Sequence, residues 1–195
     1  MPRRSAPPPS TGARGPLAEY FDKRTEGTNE PWGGGDEARG PTLEGAFVVH
    51  LHDASRLHYD VRLEIGGVLA SFAVPRGVPL DPDDKRFAVA TEDHPLEYLE
   101  FEDVIPEGNY GAGAMIVWDR GWVRWLEGPA EEERARGKLD LFFQGYKMRG
   151  RWALVKLQGP RATGGNEWLL IKKRDGSTLA LEVQLQSQLA QWAAR

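Results

Sequence analysis

The sequence predicts a mainly β fold: a compact, closed or nearly closed barrel of about eight to nine short strands with a few short flanking helices. Three observations carry this. Short β-branched or aromatic runs recur from residue 46 onward, Gly-rich turn signals separate them, and only two stretches have helical character. The runs are Ala46–Val49, Leu57–Ile65, Val68–Val74, Arg86–Ala90, Ala114–Trp118, Trp122–Leu126, Lys138–Phe143, Arg151–Leu157 and Trp168–Lys172. Gly66-Gly67 reads as a tight hairpin and Asp119-Arg120-Gly121 as another. So many short strands hide their edges best by closing on one another.

The helical stretches follow from different signals. Pro129 to Arg136 carries Glu131-Glu132-Glu133 in its first turn and Gly137 behind it, which is where a short helix wants acid and glycine. From Thr178, Leu181, Leu185, Leu189 and Trp192 fit a helical stripe, although Leu179, Leu181, Val183 and Leu185 also alternate as in a strand. Length and the Ala-rich end favour a C-terminal helix over 176–195. At the other end, residues 1–16 hold five Pro and three Arg and read as a disordered tail. Residues 17–44, irregular and rich in Gly and charge, are expected to form an extended arm on the surface of a 45–175 barrel domain.

Composition limits the chemistry. The 195 residues include no Cys, so disulfides, thiolate nucleophiles and Cys-built metal sites are excluded; any metal must rest on four His and the carboxylates. No apolar run approaches the roughly 20 residues that cross a bilayer, and the start lacks a secretory apolar region. An intracellular, cytoplasmic protein without a membrane partner is the expectation. The net charge of −4 hides an asymmetry. Gln144 to Arg174 holds eight Lys and Arg against Glu167 alone, while Glu92 to Glu107 is acid-rich. A nucleic-acid track and a solvated charged face are both compatible with that run.

All four His fall between positions 50 and 94. On a strand, His58, Asp60 and Arg62 share one face and Tyr59, Val61 and Leu63 the other. Either face could point at the barrel interior; if the apolar set packs on flanking helices, the polar trio lines the inside or a mouth, where a metal and a bound anion would offset the burial of charge. His52 lies across a short turn from His58, and two His with one Asp leave positions open for water and substrate. A solvated sheet face with a diagonal Asp60–Arg62 pair is the other reading of the same spacing. Glu92 and His94 share a face at a strand end; Arg24, Arg62 and Arg76 offer fork donors to phosphate; Tyr98 fits a core position. Gly108 to Gly113 is glycine-rich, but no helix pattern follows it, so it reads as a turn into the next strand.

The run Phe47 to Glu64 resembles the signature of the 3′-phosphoesterase domain of bacterial DNA ligase D and its stand-alone relatives. The likeness continues through Ala73-Val74-Pro75-Arg76-Gly77, Glu92-Asp93-His94-Pro95, Ile105 to Gly113, Ile116 to Gly121, Gly150-Arg151-Trp152 and Trp168 to Lys172, with Lys23-Arg24 and Thr28-Asn29-Glu30-Pro31 upstream. It spans about residues 20–175. The resemblance implies a small β-barrel enzyme that uses Mn2+ (with Co2+ or Zn2+ as alternatives). Such an enzyme removes a 3′-terminal ribonucleoside from a DNA primer strand on its template or at a duplex end, and then the 3′-phosphate, to leave a ligatable 3′-hydroxyl. Carried over by position, His52, His58 and Asp60 would hold the metal, while Arg24, Arg62, Arg76, His94 and Tyr98 would surround the scissile phosphate.

Three departures from the family pattern stand out. Thr25-Glu26 replaces a usual Asp-Phe after Arg24, so that Glu26 or Glu30 would have to supply the arm's carboxylate; Arg76 stands where Lys is usual; and His50 stands where Gln is common. Glu92 and His50 are further candidates for the site. The length leaves no room for fused ligase or polymerase domains, so an ATP-dependent DNA ligase and other end-joining proteins would act in trans, at the nucleoid. The rival reading is a catalytically inert barrel that grips nucleic-acid ends and recruits a ligase.

Overall fold

Nine antiparallel strands make up the fold in the computed structural model, which describes residues 15–25, 27–33, 40–159, 162 and 164–176. They are β1 (Glu44–Asp53), β2 (Leu57–Ile65), β3 (Val68–Val74), β4 (Lys85–Ala90), β5 (Asp103–Ile105), β6 (Gly113–Trp125), β7 (Lys138–Gly145), β8 (Arg149–Lys156) and β9 (Glu167–Lys172). Neighbours run β1-β2-β3-β4-β9-β8-β7-β6, and a β1–β6 pairing closes the eight strands into a barrel. The short β5 adds outside the ring, on the start of β6. The expected mainly β barrel is therefore the observed one.

The apolar side chains choose the interior. Phe47, Val49, Val61, Leu63, Phe72, Val74, Leu139, Leu141, Phe143, Trp152, Leu154 and Leu170 form one core contributed by strands all round the ring. The sequence allows either face of β2 to point inward, and the apolar one does. Tyr59, Val61 and Leu63 point into the barrel, and His58, Asp60 and Arg62 lie on its outer face. Filling a small barrel with hydrocarbon buries more apolar area than a surface helix could, so the polar row is left outside and needs another cover.

That cover is the N-terminal segment. It is not an extended surface arm: helix α1 (Ala18–Asp22) follows a short 3₁₀ turn, and Leu17, Tyr20 and Phe21 are buried in a second apolar cluster. The cluster also takes Val68, Leu69, Tyr98, Phe101, Ile105 and Met115 and packs on the outside of β3 and β6. A 3₁₀ turn at Leu96–Glu100 completes the roof.

The second predicted hairpin is also absent. Asp119-Arg120-Gly121 stays inside β6, paired to Val49, Val48 and Phe47, with the register skipping Trp118 as a bulge. Its turn-like composition serves other needs. The buried Asp119 carboxylate accepts the N–H groups of Tyr146, Lys147 and Met148, and a Cβ at Gly121 would lie 2.2 Å from the Gln144 carbonyl oxygen. Helix α2 (Ala130–Arg136) forms as expected, with Gly137 left-handed behind it. The buried Glu133 of α2 accepts N–H groups from Glu127 and Asp140, and Arg134 grips Asp93 with two bonds at 2.7 and 2.9 Å. The 176–195 helix and the 1–16 tail lie outside the described residues, apart from residues 15, 16 and 176. Among the described residues no helix is long and apolar enough to cross a membrane.

Candidate metal and phosphate site

Strand register assembles the site. Across β1 and β2, His52 faces His58, His50 faces Asp60 and Val48 faces Arg62; across β2 and β3, Arg62 faces Ser71. All lie on the outer face of the barrel under the N-terminal segment. Of these, His52, His58, Asp60 and Arg62 border a cavity of about 200 Å³ that also receives Arg24, Glu30, Glu92, His94, Tyr98 and Tyr110.

His52 Nδ1 and His58 Nε2 each lie 3.5 Å from an oxygen of Asp60, and one donor atom from each residue falls within 4.8 Å of the others. The remaining ring nitrogens are committed. His52 Nε2 meets the Gly111 carbonyl at 2.9 Å and His58 Nδ1 the Arg56 carbonyl at 2.8 Å. A carbonyl only accepts, so both of these nitrogens carry the proton, and lone pairs are left on the two that face Asp60. His52 Nδ1 is buried with no hydrogen-bond partner. A buried lone pair without a donor is costly, and a cation is what would satisfy it. The 3.5 Å separations are close to the roughly 3.4 Å between ligands set tetrahedrally around an ion at about 2.1 Å. The residues present therefore fit a divalent metal. Burial alone would raise the Asp60 carboxyl, but Arg62 and the two imidazoles hold it well below the usual range. Without an ion, Asp60 raises the His58 pKa, since a protonated Nε2 would donate to it, and a bound metal would displace that proton.

Two arginines stand beside this group. Arg62 donates to Asp60 (3.0 Å), Ser71 Oγ (2.9 Å) and His50 Nδ1 (3.4 Å), with its guanidinium over the Tyr98 ring. Arg24 donates to Glu30 and Glu92, both at 2.8 Å, and to His94 Nε2 at 3.1 Å, while stacking on Tyr20. His94 gives its Nδ1 proton to the Glu92 carbonyl at 2.8 Å. Burial, helped by Arg62 and Arg24, pushes its pKa far below the ordinary imidazole value, so the ring is neutral. Glu92 shows the opposite balance: burial would raise it, but Arg24 and Lys23 keep it ionised.

The sequence candidates thus separate. His52, His58, Asp60, Arg62, Arg24, His94, Tyr98, Glu30 and Glu92 meet around one cavity. Tyr98 is a core residue as well, fully buried, with its hydroxyl donating to Glu30 at 2.5 Å. His50 does not line the cavity; it stands behind Arg62, fully buried, with Nε2 donating to the Phe101 carbonyl at 3.1 Å. Arg76 is exposed in the turn after β3 and does not line the cavity. Thr25 is exposed, Glu26 lies outside the described residues, and Glu30 is the arm carboxylate that reaches Arg24. Within the basic run, Arg151, Lys172 and Arg174 are engaged by Asp140, Asp175 and Asp83.

Sequence reasoning missed Ser71, Tyr20, Lys23 and the Gly111 carbonyl. Ser71 was within reach, since pairing strands outward from the Gly66-Gly67 turn sets it opposite Arg62. The others depend on long-range contacts that leave no local pattern.

The family described as the DNA ligase D 3′-phosphoesterase domain matches residues 50–156, which carry His52, His58 and Asp60, the end of β1, all of β2 and the Glu92–Tyr98 segment. The chain belongs to that family. A multifunctional non-homologous end joining protein LigD of Pseudomonas aeruginosa is 46% identical over 174 residues, 86% of this chain and 20% of the relative. The protein of the same name from Mycolicibacterium smegmatis is 43% identical over 134 residues, covering 66% and 17%. A multifunctional non-homologous end joining DNA repair protein LigD of Mycobacterium tuberculosis is 42% identical over 123 residues, covering 63% and 15%. The chain spans a fifth or less of the length of these relatives.

Proposed function

We propose that this phosphoesterase-domain chain hydrolyses phosphate esters at the 3′ ends of DNA primer strands. It would remove a terminal 3′-ribonucleoside and then the 3′-phosphate, to prepare ends for non-homologous end joining in the cytoplasm, at the nucleoid. The observation that carries this reading is the buried, unpartnered His52 Nδ1 facing Asp60 and His58 in the same cavity as Arg24 and Arg62. A group that wants a cation stands beside guanidinium forks that want an anion, and a metal-bound phosphate ester satisfies both.

His52, His58 and Asp60 would hold the ion, with Mn2+ the expected metal and Co2+ or Zn2+ the alternatives. When bound, the ion would supply Lewis-acid charge to the phosphoryl oxygens and acidify a water. The remaining work falls to the chain's own side chains. Arg62 and Arg24 would neutralise charge that grows on the phosphoryl oxygens as a water oxygen bonds to phosphorus and the ester P–O bond breaks, a stabilisation that strengthens toward the transition state. Asp60, Ser71 and His50 hold the first fork, and Glu30, Glu92 and His94 the second, so neither must reorganise during reaction. His94, neutral and accepting from Arg24, has no proton at Nε2 to give the leaving oxygen. It acts here as a positioning residue for Arg24. The proton for the leaving oxygen then comes from water. A DNA ligase acting in trans would consume the 3′-hydroxyl product.

A 5′-labelled DNA primer ending in one ribonucleotide, annealed to a template, tests the reading. With Mn2+ it should shorten to a 3′-phosphate product and then to a 3′-hydroxyl, and chelator should stop both steps. Failure to shorten or dephosphorylate with any of the three metals overturns it.

A further inference from the structure

A second concavity, of about 570 Å³, lies on the outside of β6, β7 and β8. Two of its walls are aromatic and exposed: Trp122 at 63% and Tyr146 at 75%. Neither is a loose surface residue. Trp122 sits in strand register between Ala46 and Gln144, and Gln144 pairs on to Arg149. Tyr146 rides on a turn whose three successive N–H groups are clamped by the buried Asp119 carboxylate. Between them the paired Gly121 and Gly145 bring the strands together. A Cβ on Gly145 would lie 2.6 Å from both Asp119 and the Phe47 ring.

The charge on the walls is net positive. Arg120 and Arg149 line it together with Glu100, and Lys147 stands over the Trp118 ring. Rigid exposed rings flanked by guanidinium groups match a strand whose bases are free to stack and whose phosphates are free to pair. Duplex DNA hides its bases, so it meets only half of that description. A second copy of this chain, docked about a two-fold axis, would set the arginines of one patch against the same patch.

The groove also lies beside the phosphate cavity, across the 3₁₀ turn. Ser71, Arg62, Val48 and Arg120 form one cross-strand row over β3, β2, β1 and β6, so Arg62 and Arg120 are two strand spacings, about 10 Å, apart. The 3₁₀ turn between the two sites puts Tyr98 against one and Leu99 and Glu100 against the other. We propose that the Trp122–Tyr146 groove is a binding site for one unpaired nucleic-acid strand, held by base stacking and by Arg120 and Arg149. It extends the substrate contact of the proposed function away from the reacting end.

The test is fluorescence anisotropy with a labelled 20-nucleotide oligo(dT) bearing a 3′-hydroxyl, competed by circular single-stranded DNA. Trp122→Ala and Tyr146→Ala should each weaken binding about tenfold with the thermal midpoint unchanged. Arg120→Ala should flatten the dependence of log affinity on log salt by about 0.7. The circle, which has no 3′ end, should compete fully, so this outcome is independent of whether the chain hydrolyses 3′ ends. Wild-type affinity in both aromatic variants overturns the assignment, as does binding confined to oligonucleotides with a 3′-phosphate. Concentration-dependent dimerisation abolished by Trp122→Ala overturns it too, and gives the groove to self-association.

Discussion

At the residue scale, Asp60 has two duties: it faces both imidazole lone pairs and it neutralises Arg62. Asp60→Ala should abolish Mn2+ binding in calorimetry and lower 3′-phosphate release by more than the roughly 10–100-fold typical of losing a residue behind a metal ligand. Retained Mn2+ affinity would show that the ligand set is wrong. His50 invites a finer test. Its ring accepts from Arg62 and donates to the Phe101 carbonyl, and a glutamine side chain has an acceptor and a donor to do the same. His50→Gln should keep activity within a few-fold. His50→Ala leaves a buried guanidinium N–H and a carbonyl unpaired, at about 1–3 kcal/mol, and should lower both the unfolding midpoint and the turnover rate. Equal activity in the two variants would show that this contact does not orient Arg62.

At the element scale, helix α2 is tied to the barrel by Glu133 and to the site-bearing segment by Arg134, which grips Asp93 between Glu92 and His94. Glu133→Ala strips the partner from two backbone N–H groups. It should cost about 2–4 kcal/mol, a fall in thermal midpoint on the order of 10 °C in a scanning calorimeter, while a Mn2+ titration is unchanged. The elements also show where local pattern misleads. The Asp119-Arg120-Gly121 triplet has turn chemistry but lies mid-strand, because its aspartate caps a different turn and its glycine admits a neighbouring strand. The segment from Leu17 looked like a loose arm because its apolar residues are few, yet Leu17, Tyr20 and Phe21 suffice to roof a polar sheet face.

At the scale of the whole molecule, the site makes stability depend on pH. Burial, with Arg62 adding to it, lowers the His50 pKa to about 3, and His94 is pushed the same way. An unfolded chain protonates both imidazoles as pH falls through about 6.5, while the folded chain keeps them neutral. Their contribution is therefore full above that value and is lost progressively as pH falls toward 3. Glu92, whose folded carboxyl is also depressed, adds a further loss below about 4.5. His58 is shifted upward by Asp60 and opposes the trend, one imidazole against two. In chelator, thermal midpoints should hold near pH 7.5 and fall as pH drops from about 6.5 to 4.5. A flat profile would mean that His50 and His94 do not stay neutral in the fold.

The sequence by itself determined the mainly β class, most strand positions, the α2 helix and the shared face of His58, Asp60 and Arg62. These rest on periodicity, cap chemistry and turn residues, which act over a few neighbours. Only the tertiary structure decided which face of that strand is inside. The answer depends on the combined apolar area of strands all round the ring, and the larger area filled the barrel and turned the His58, Asp60 and Arg62 row outward. The same long-range packing brought Arg24 from residue 24 onto Glu92 and His94, set His50 behind Arg62, and left Arg76 away from the cavity. Contacts that close across so many residues have no repeat for a sequence to display; they exist because a buried charge must find a partner wherever the fold provides one.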